Sequence, residues 1–181
     1  RYKNIFNFKG IKKEQNILLL GSYIVSDSRY LINSVKKFDN VIFKNHPAVD
    51  IYQLGQLPNH IQLSDKNIYE IFKTTKIVIG TATGTILEAV VCGVSVIVLA
   101  SQNNITANPL VEKGQGKIWE IASNENEIYD VYKKLIDYRK YNQAEIIKIA
   151  NWYKDNFFVE PNEENIIKVF KFAKSNNSQQ V

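Results

Sequence analysis

Residues 77–100 read IVIGTATGTILEAVVCGVSVIVLA: two apolar runs separated by a small-residue turn, a short helical stretch with a single acid, Glu88, and a glycine. Neither run alternates with polar residues, so each suits a strand buried on both faces. A strand, a helix and a second doubly buried strand in succession form a parallel unit, and parallel units demand helices on both faces of a sheet. This stretch constrains the fold more than any other.

The rest of the chain repeats the theme. NILLLGS at 16–22 is another apolar run ending in small residues, and SDSRYLINSVKKF supplies a helix with Ser26 or Ser28 as N-cap. NVIFKNHP is a short strand stopped by Pro47, and HIQLSD a third, ending at Ser64 and Asp65, either of which can cap the helix NIYEIFKTT. KIWEIA predicts an edge strand. Ile128, Val131, Tyr132 and Leu135 form one helical stripe, and Ile166, Val169, Phe170 and Ala173 another, whose helix starts near Pro161, Glu163 and Glu164. The expected fold is α/β, a Rossmann-like doubly wound parallel sheet with trailing C-terminal helices. Its expected organisation is a lead-in over 1–15, one domain over 16–174 and a disordered polar tail over 175–181.

Composition removes several function classes. No run approaches the roughly 20 apolar residues of a membrane span, and the first residues lack the apolar core of a signal peptide. A cytoplasmic location is expected, with peripheral contact at the inner membrane face left open by a net charge of +5. The chain begins at Arg1 and has no methionine, so a longer protein with its missing part upstream is expected. The lone cysteine, Cys92, reads as a small buried hydrophobe, and two histidines make no metal motif, so neither metal nor cofactor is predicted. The lysines are scattered rather than striped, which argues against nucleic acid.

In an open parallel sheet, ligands bind beyond the carboxyl ends of the strands. Three loops there carry suitable chemistry. GSYIVSDS offers Gly21 and Ser22 for close approach and hydrogen bonding to a phosphate, although an ordinary turn fits equally. KNHP offers Lys44 and His46 as donors on one side of an extended strand end, with Pro47 holding His46 extended. TATGT offers Thr81, Thr83, Gly84 and Thr85 at a helix start. Glu88 has two readings: the far half of a capping box with Thr85, contributing about 1 kcal/mol, or an acceptor for the two hydroxyls of a ribose. Spacing does not choose between them. His60 reads as a surface or turn residue. The loop with Gln102, Asn103, Asn104 and Asn108 is a weaker candidate.

The succession of a KxHP strand end followed by SDKNIYEIFKTTKIVIGTATGTILEAVVCGVSVIVL resembles the C-terminal, nucleotide-binding half of GT-B glycosyltransferases. The matching residues are Ser64 and Asp65, Thr81, Thr83, Gly84, Thr85, Glu88 with Ala89, Gly93, and Val96 with Ile97, across roughly 16–122. The resemblance implies ribose binding by Glu88 and phosphate binding by Thr83, Gly84 and Thr85. The His-Pro pair is similar to that of bacterial sialyltransferases and related capsule enzymes, which implies that His46 stabilises the leaving phosphate. Gly80 stands where retaining enzymes with paired glutamates carry the first, which points to inversion.

The implied activity is the donor-binding half of an inverting glycosyltransferase of surface polysaccharide or lipopolysaccharide synthesis. Its partners would be a CMP- or UDP-linked sugar and a saccharide acceptor held by a missing N-terminal domain, which would also supply the unidentified catalytic base. The competing readings are a nucleotide-sugar 2-epimerase or polyol-phosphate transferase of the same fold, and a non-catalytic Rossmann-like partner-binding module.

Overall fold

The computed structural model describes residues 2–12, 15–81 and 83–170, and the tail expected over 175–181 lies outside them. Six strands, β1 (Asn16–Leu20), β2 (Val41–Lys44), β3 (Ile61–Leu63), β4 (Thr75–Gly80), β5 (Ser95–Leu99) and β6 (Trp119–Ala122), form one sheet. All neighbours pair parallel, in the order β3-β2-β1-β4-β5-β6. This is the doubly wound Rossmann-like architecture that the alternation of apolar runs predicts.

The strands alternate sides as a two-residue period requires. Leu18, Leu20, Val78, Val96 and Val98 face one layer, formed by α3 (Ile68–Phe72), α4 (Thr85–Val91) and α6 (Gln143–Phe157). Ile17, Leu19, Ile77, Ile79, Ile97 and Leu99 face the other, formed by α2 (Val25–Asn33) and α5 (Ile128–Tyr141). Both sets are almost wholly buried, and each such side chain contributes about 1.5–3 kcal/mol by leaving water. The helix α1 (Lys3–Phe6) belongs to the first layer through Ile5, so the lead-in is packed onto the domain.

The helix starts differ from those read in the sequence. Ile24 is the N-cap of α2, without a side-chain cap bond, because the Ser28 hydroxyl turns back to the Ser22 carbonyl at 3.0 Å and also accepts the Ser22 amide at 2.9 Å. For α3 the cap is Asn67 rather than Ser64 or Asp65: its Oδ1 accepts the Tyr69 amide at 3.0 Å. The helix α6 adds a packing face that the two predicted stripes do not include, with Ile146, Ile149, Ala150 and Tyr153 buried. By contrast, α7 (Glu163–Phe170) buries none of its residues.

The amino edge of the sheet is fastened by hydrogen bonds. The Thr74 carbonyl accepts the amides of Gln15 and Asn16, both at 3.0 Å, and the Asn16 side chain donates to Thr74 Oγ1 at 3.1 Å. Gly93, at φ 75°, closes α4 in a conformation that L side chains rarely adopt, and its carbonyl accepts from Arg139 Nη1 of α5 at 2.5 Å. Arg139 is itself buried.

Cys92 is buried just before that turn, and burial, reinforced by the Glu88 carboxylate one helical turn away, pushes its thiol up from 9.0 to about 12. An unfolded chain ionises the thiol near pH 9.0, so the stability that this burial contributes is complete below that pH. It is lost as pH rises toward about 12. We expect a thiol reagent at neutral pH to label Cys92 in the folded protein more slowly than in denaturant by a factor on the order of 10³ or more, the folded-to-unfolded ratio of small domains. Equal rates would show that the helix does not shield it.

Candidate functional site

The sheet order reverses between β1 and β4, and a cleft opens where consecutive strands send their helices to opposite faces. A cavity of about 480 Å³ lies there. Leu20, Gly21 and Tyr23 from β1 and its loop line one side, and the four residues from Lys44 to Pro47 line another. Thr83, Gly84 and Thr85 close it from β4, joined by Ile68 at the start of α3 and Tyr2 from the lead-in.

Register explains the convergence. Leu20 pairs with Lys44 on one side and Gly80 on the other, so three strands end at one level and release their loops together. Gly21 lets the loops close up: a Cβ there would stand 3.1 Å from both the His46 backbone nitrogen and the Phe43 ring. Any larger residue would push the His46 segment away.

That segment is a rigid turn. The Asn45 side-chain amide donates to the Val49 carbonyl at 2.7 Å, and the Val49 amide to the His46 carbonyl at 3.0 Å. The Ala48 amide donates to His46 Nδ1 at 3.1 Å, which fixes the tautomer with its proton on Nε2. The edge of the Tyr23 ring meets the imidazole, with centroids 6.1 Å apart. The Asn45 Oδ1 is buried without a hydrogen-bond partner. β2 stops at Lys44, three residues before Pro47, so Lys44 and His46 share the cavity through this turn and not through strand alternation.

Of the predicted residues, Gly21, Lys44, His46, Pro47, Thr83, Gly84 and Thr85 meet in this one cavity. Ser22, Thr81 and Glu88 do not line it. Ser22 is fully buried, and its hydroxyl accepts the Ile24 amide at 3.0 Å, which makes it a turn residue. Thr81 is fully buried, and its hydroxyl has no hydrogen-bond partner among the described residues.

Glu88 is 1% exposed, and its Oε2 accepts a short hydrogen bond from the Tyr69 hydroxyl of α3. Thr85 does not stand at the N-cap position that a capping box with Glu88 requires. Gly84 is the N-cap of α4, without a side-chain cap bond, so Thr85 is the first helical residue and Glu88 the fourth. The Thr83 hydroxyl accepts the Thr85 amide at a long 3.4 Å. Through the bond from Tyr69, Glu88 links α4 to α3, a contact that neither reading of its spacing contained.

The reading of the sequence missed Tyr2, Leu20, Tyr23, Asn45 and Ile68 as lining residues. Asn45 and Tyr23 lay inside the stretches already singled out, flanked by the chosen residues. Tyr2 and Ile68 left no local signal, because only the packing of α1 and α3 against the core brings them to the cavity.

Fold and cleft together define a Rossmann-like, doubly wound α/β domain. No family model matches the sequence, and a search of curated proteins finds no match. Among solved structures, the glycosyltransferase SnogD from Streptomyces nogalater is similar over 91% of this chain and 45% of that one, with a TM-score of 0.55 and 18% identity. The wall teichoic acid polymerase TagF, soaked with CDPG, is similar over 94% of this chain and 44% of that one, at TM-score 0.52 and 13% identity. The glycotransferase of kitacinnamycin is similar over 90% and 45%, at TM-score 0.53 and 14% identity. The likeness is one of fold, and the chain spans about half the length of each of these proteins. Among the described residues, no helix is long and apolar enough to cross a membrane.

Replacing Tyr69 by Phe removes the donor to a buried carboxylate. Hydrogen bonds to charged groups contribute about 1.5–3 kcal/mol, so Tyr69→Phe should lower the unfolding free energy by about that amount. Urea titration followed by the fluorescence of Trp119, itself buried, measures it. An unchanged midpoint would remove Glu88 from the structural role described.

Proposed function

We propose that this chain is the nucleotide-sugar-binding half of an inverting glycosyltransferase, acting in surface polysaccharide synthesis on a CMP- or UDP-linked donor. The observation that carries the reading is the meeting of Lys44, His46 and the Thr83 to Thr85 turn in one cavity at the reversal point of the sheet. An ammonium group, an Nε2–H donor and threonine hydroxyls suit the phosphate of a nucleotide.

In the proposed reaction an acceptor hydroxyl, giving its proton to a general base, bonds to the anomeric carbon from the side opposite the phosphate as the bond from that carbon to phosphate oxygen breaks, and negative charge grows on the departing phosphate. His46 and Lys44 stabilise it as it leaves, and because the His46 turn is already fixed, little reorganisation accompanies the step. The acceptor and its general base belong to the upstream half. For Glu88 we keep the ribose role that the resemblance implies: its Oε2 accepts from the Tyr69 hydroxyl, and the two oxygens of a carboxylate have acceptor capacity beyond that one bond.

The presence of a teichoic acid polymerase among the similar structures supports a second reading, transfer of a polyol phosphate. Product analysis with the whole protein separates the two, because one product carries a new glycosidic bond and the other a new phosphodiester.

The nucleotide reading is tested by thermal melting and calorimetric titration with CMP, CDP and UDP. At least one should raise the melting temperature. His46→Ala and Lys44→Ala should each weaken that nucleotide about tenfold or more, the equivalent of losing one charge-assisted hydrogen bond of about 1.4 kcal/mol or more. Both variants should keep the melting temperature of the free chain, since neither side chain is in the core. The reading fails if no nucleotide shifts the melt, or if both variants bind as the parent does.

A further inference from the structure

Lysines that lie apart in the sequence gather at one corner of the fold. The loop before β6 brings Lys113 and Lys117, and α6 brings Lys148, to a cavity of about 110 Å³ whose lining also includes Gly114, Glu145 and Ile149. This corner is at the amino edge of the sheet, opposite the cavity of Lys44 and His46. The five residues of β5, at about 3.3 Å each, keep the two cavities apart.

The backbone of the corner is fixed. Gly114 has φ 81°, and a Cβ there would stand 2.7 Å from Ile149 Cγ2 and 2.9 Å from Ile118 Cγ2, so a glycine is what lets this loop lie against α6. The Lys113 carbonyl accepts two hydrogen bonds from buried aromatic residues, one from Trp119 Nε1 at 3.0 Å and one from the Tyr153 hydroxyl at 2.8 Å. Lysines carried on a backbone held in this way lose less freedom when they meet a ligand.

Three ammonium groups share the cavity with one carboxylate. Glu145 accepts from Lys117 Nζ and from the Tyr138 hydroxyl, each at 2.5 Å, so its charge is offset within the cluster. Among the described residues Lys113 and Lys148 have no carboxylate partner, and Lys113 Nζ lies 5.9 Å from the centre of the Trp152 ring. The space is that of about four water molecules, enough for one phosphate group. It is well below the roughly 300 Å³ at which pockets for larger ligands begin.

Apolar side chains flank these lysines. Tyr141, at the end of α5, is 76% exposed, with Lys140 Nζ 5.2 Å from the centre of its ring, and Ile147, beside Lys148 on α6, is 58% exposed. A small soluble anion gives such side chains nothing to bury in. A bilayer takes exposed aromatic and aliphatic groups at its interface and attracts lysines to its anionic surface.

We propose that this amino-edge corner docks the chain on an anionic bilayer, with a lipid headgroup phosphate among Lys113, Lys117 and Lys148 and with Tyr141 and Ile147 entering the interface. The cavity of Lys44 and His46 then faces away from the lipid, open to solution.

The test is co-sedimentation of the 181-residue chain with vesicles of phosphatidylcholine alone and with vesicles in which half of that lipid is replaced by phosphatidylglycerol. Binding is expected to the mixed vesicles only, and it should be lost in about 1 M salt, where charges are screened within roughly 3 Å. Lys113→Gln with Lys148→Gln should weaken it about twentyfold or more, since one lysine near an anionic surface contributes about fivefold, the equivalent of about 1 kcal/mol. Tyr141→Ser with Ile147→Ser should weaken it about tenfold or more, the scale of one large apolar side chain returned to water. Lys66→Gln, at an exposed position on the opposite edge, removes the same charge and should change nothing. All variants should keep the parent's melting temperature. Equal binding to both kinds of vesicle, binding to neither, or a Lys113 and Lys148 variant that binds as the parent does overturns the proposal. An apolar variant that binds the mixed vesicles as the parent does, with inorganic polyphosphate displacing the parent from them, overturns it in favour of a soluble polyanion. Nucleotide titration of the same chain reads the opposite edge, so the donor reading stands or falls separately.

Discussion

The register of β1 is the constraint on which the site depends. Leu20 is level with Lys44 on one flank and Gly80 on the other, and those pairings are parallel, so three loops from distant parts of the chain leave the sheet at the same height. Slipping β2 by one residue would turn Lys44 to the opposite face and carry the His46 turn with it. Such a slip is opposed by the burial of Val41 and Phe43 of β2 on one face of the sheet, which it would exchange for Ile42 and Lys44. The hydrophobic core thereby sets the positions of polar atoms that never touch it.

Close approach is the second requirement, and Gly21 meets it. With no side chain, the first loop lies against the His46 backbone and hydrogen-bonds to the Lys44 carbonyl at 2.9 Å. The turn from 45 to 49 then needs only its own amides to hold its shape. Donors held in position before a ligand arrives lose less freedom on binding it than mobile ones would.

The central strands β1, β4 and β5 were the most legible in the sequence because the sheet buries both their faces and each carries an unbroken apolar run, and all five strands read from apolar runs plus the edge strand of KIWEIA occupy the expected segments. Helix starts were less legible. Ser28 has the composition of a cap, yet its hydroxyl serves the Ser22 backbone, a choice that only the path of the preceding loop decides. Glu88 shows the same limit more sharply. Its spacing pointed to the helix start or to a ligand and carried no sign of the bond from Tyr69, 19 residues away on a helix that the sheet brings alongside. The cavity residues drawn from continuous motifs were found, and Tyr2 and Ile68, which arrive through packing, were not.

Arg139 fastens the Gly93 turn, and Thr74 gathers the chain entering β1, both at the amino edge. The carboxyl edge has bonds of its own, from the Asn45 side-chain amide to the Val49 carbonyl and from the Ser28 hydroxyl to the Ser22 carbonyl. Among the described residues, buried polar atoms without partners stand at both edges, Thr81 Oγ1 and Asn45 Oδ1 at one, His60 Nε2 and Ser95 Oγ at the other. The bonds that shape the 45–49 turn join residues no more than four apart, so a different turn can take its place as a unit while the strand pairing beneath it is kept.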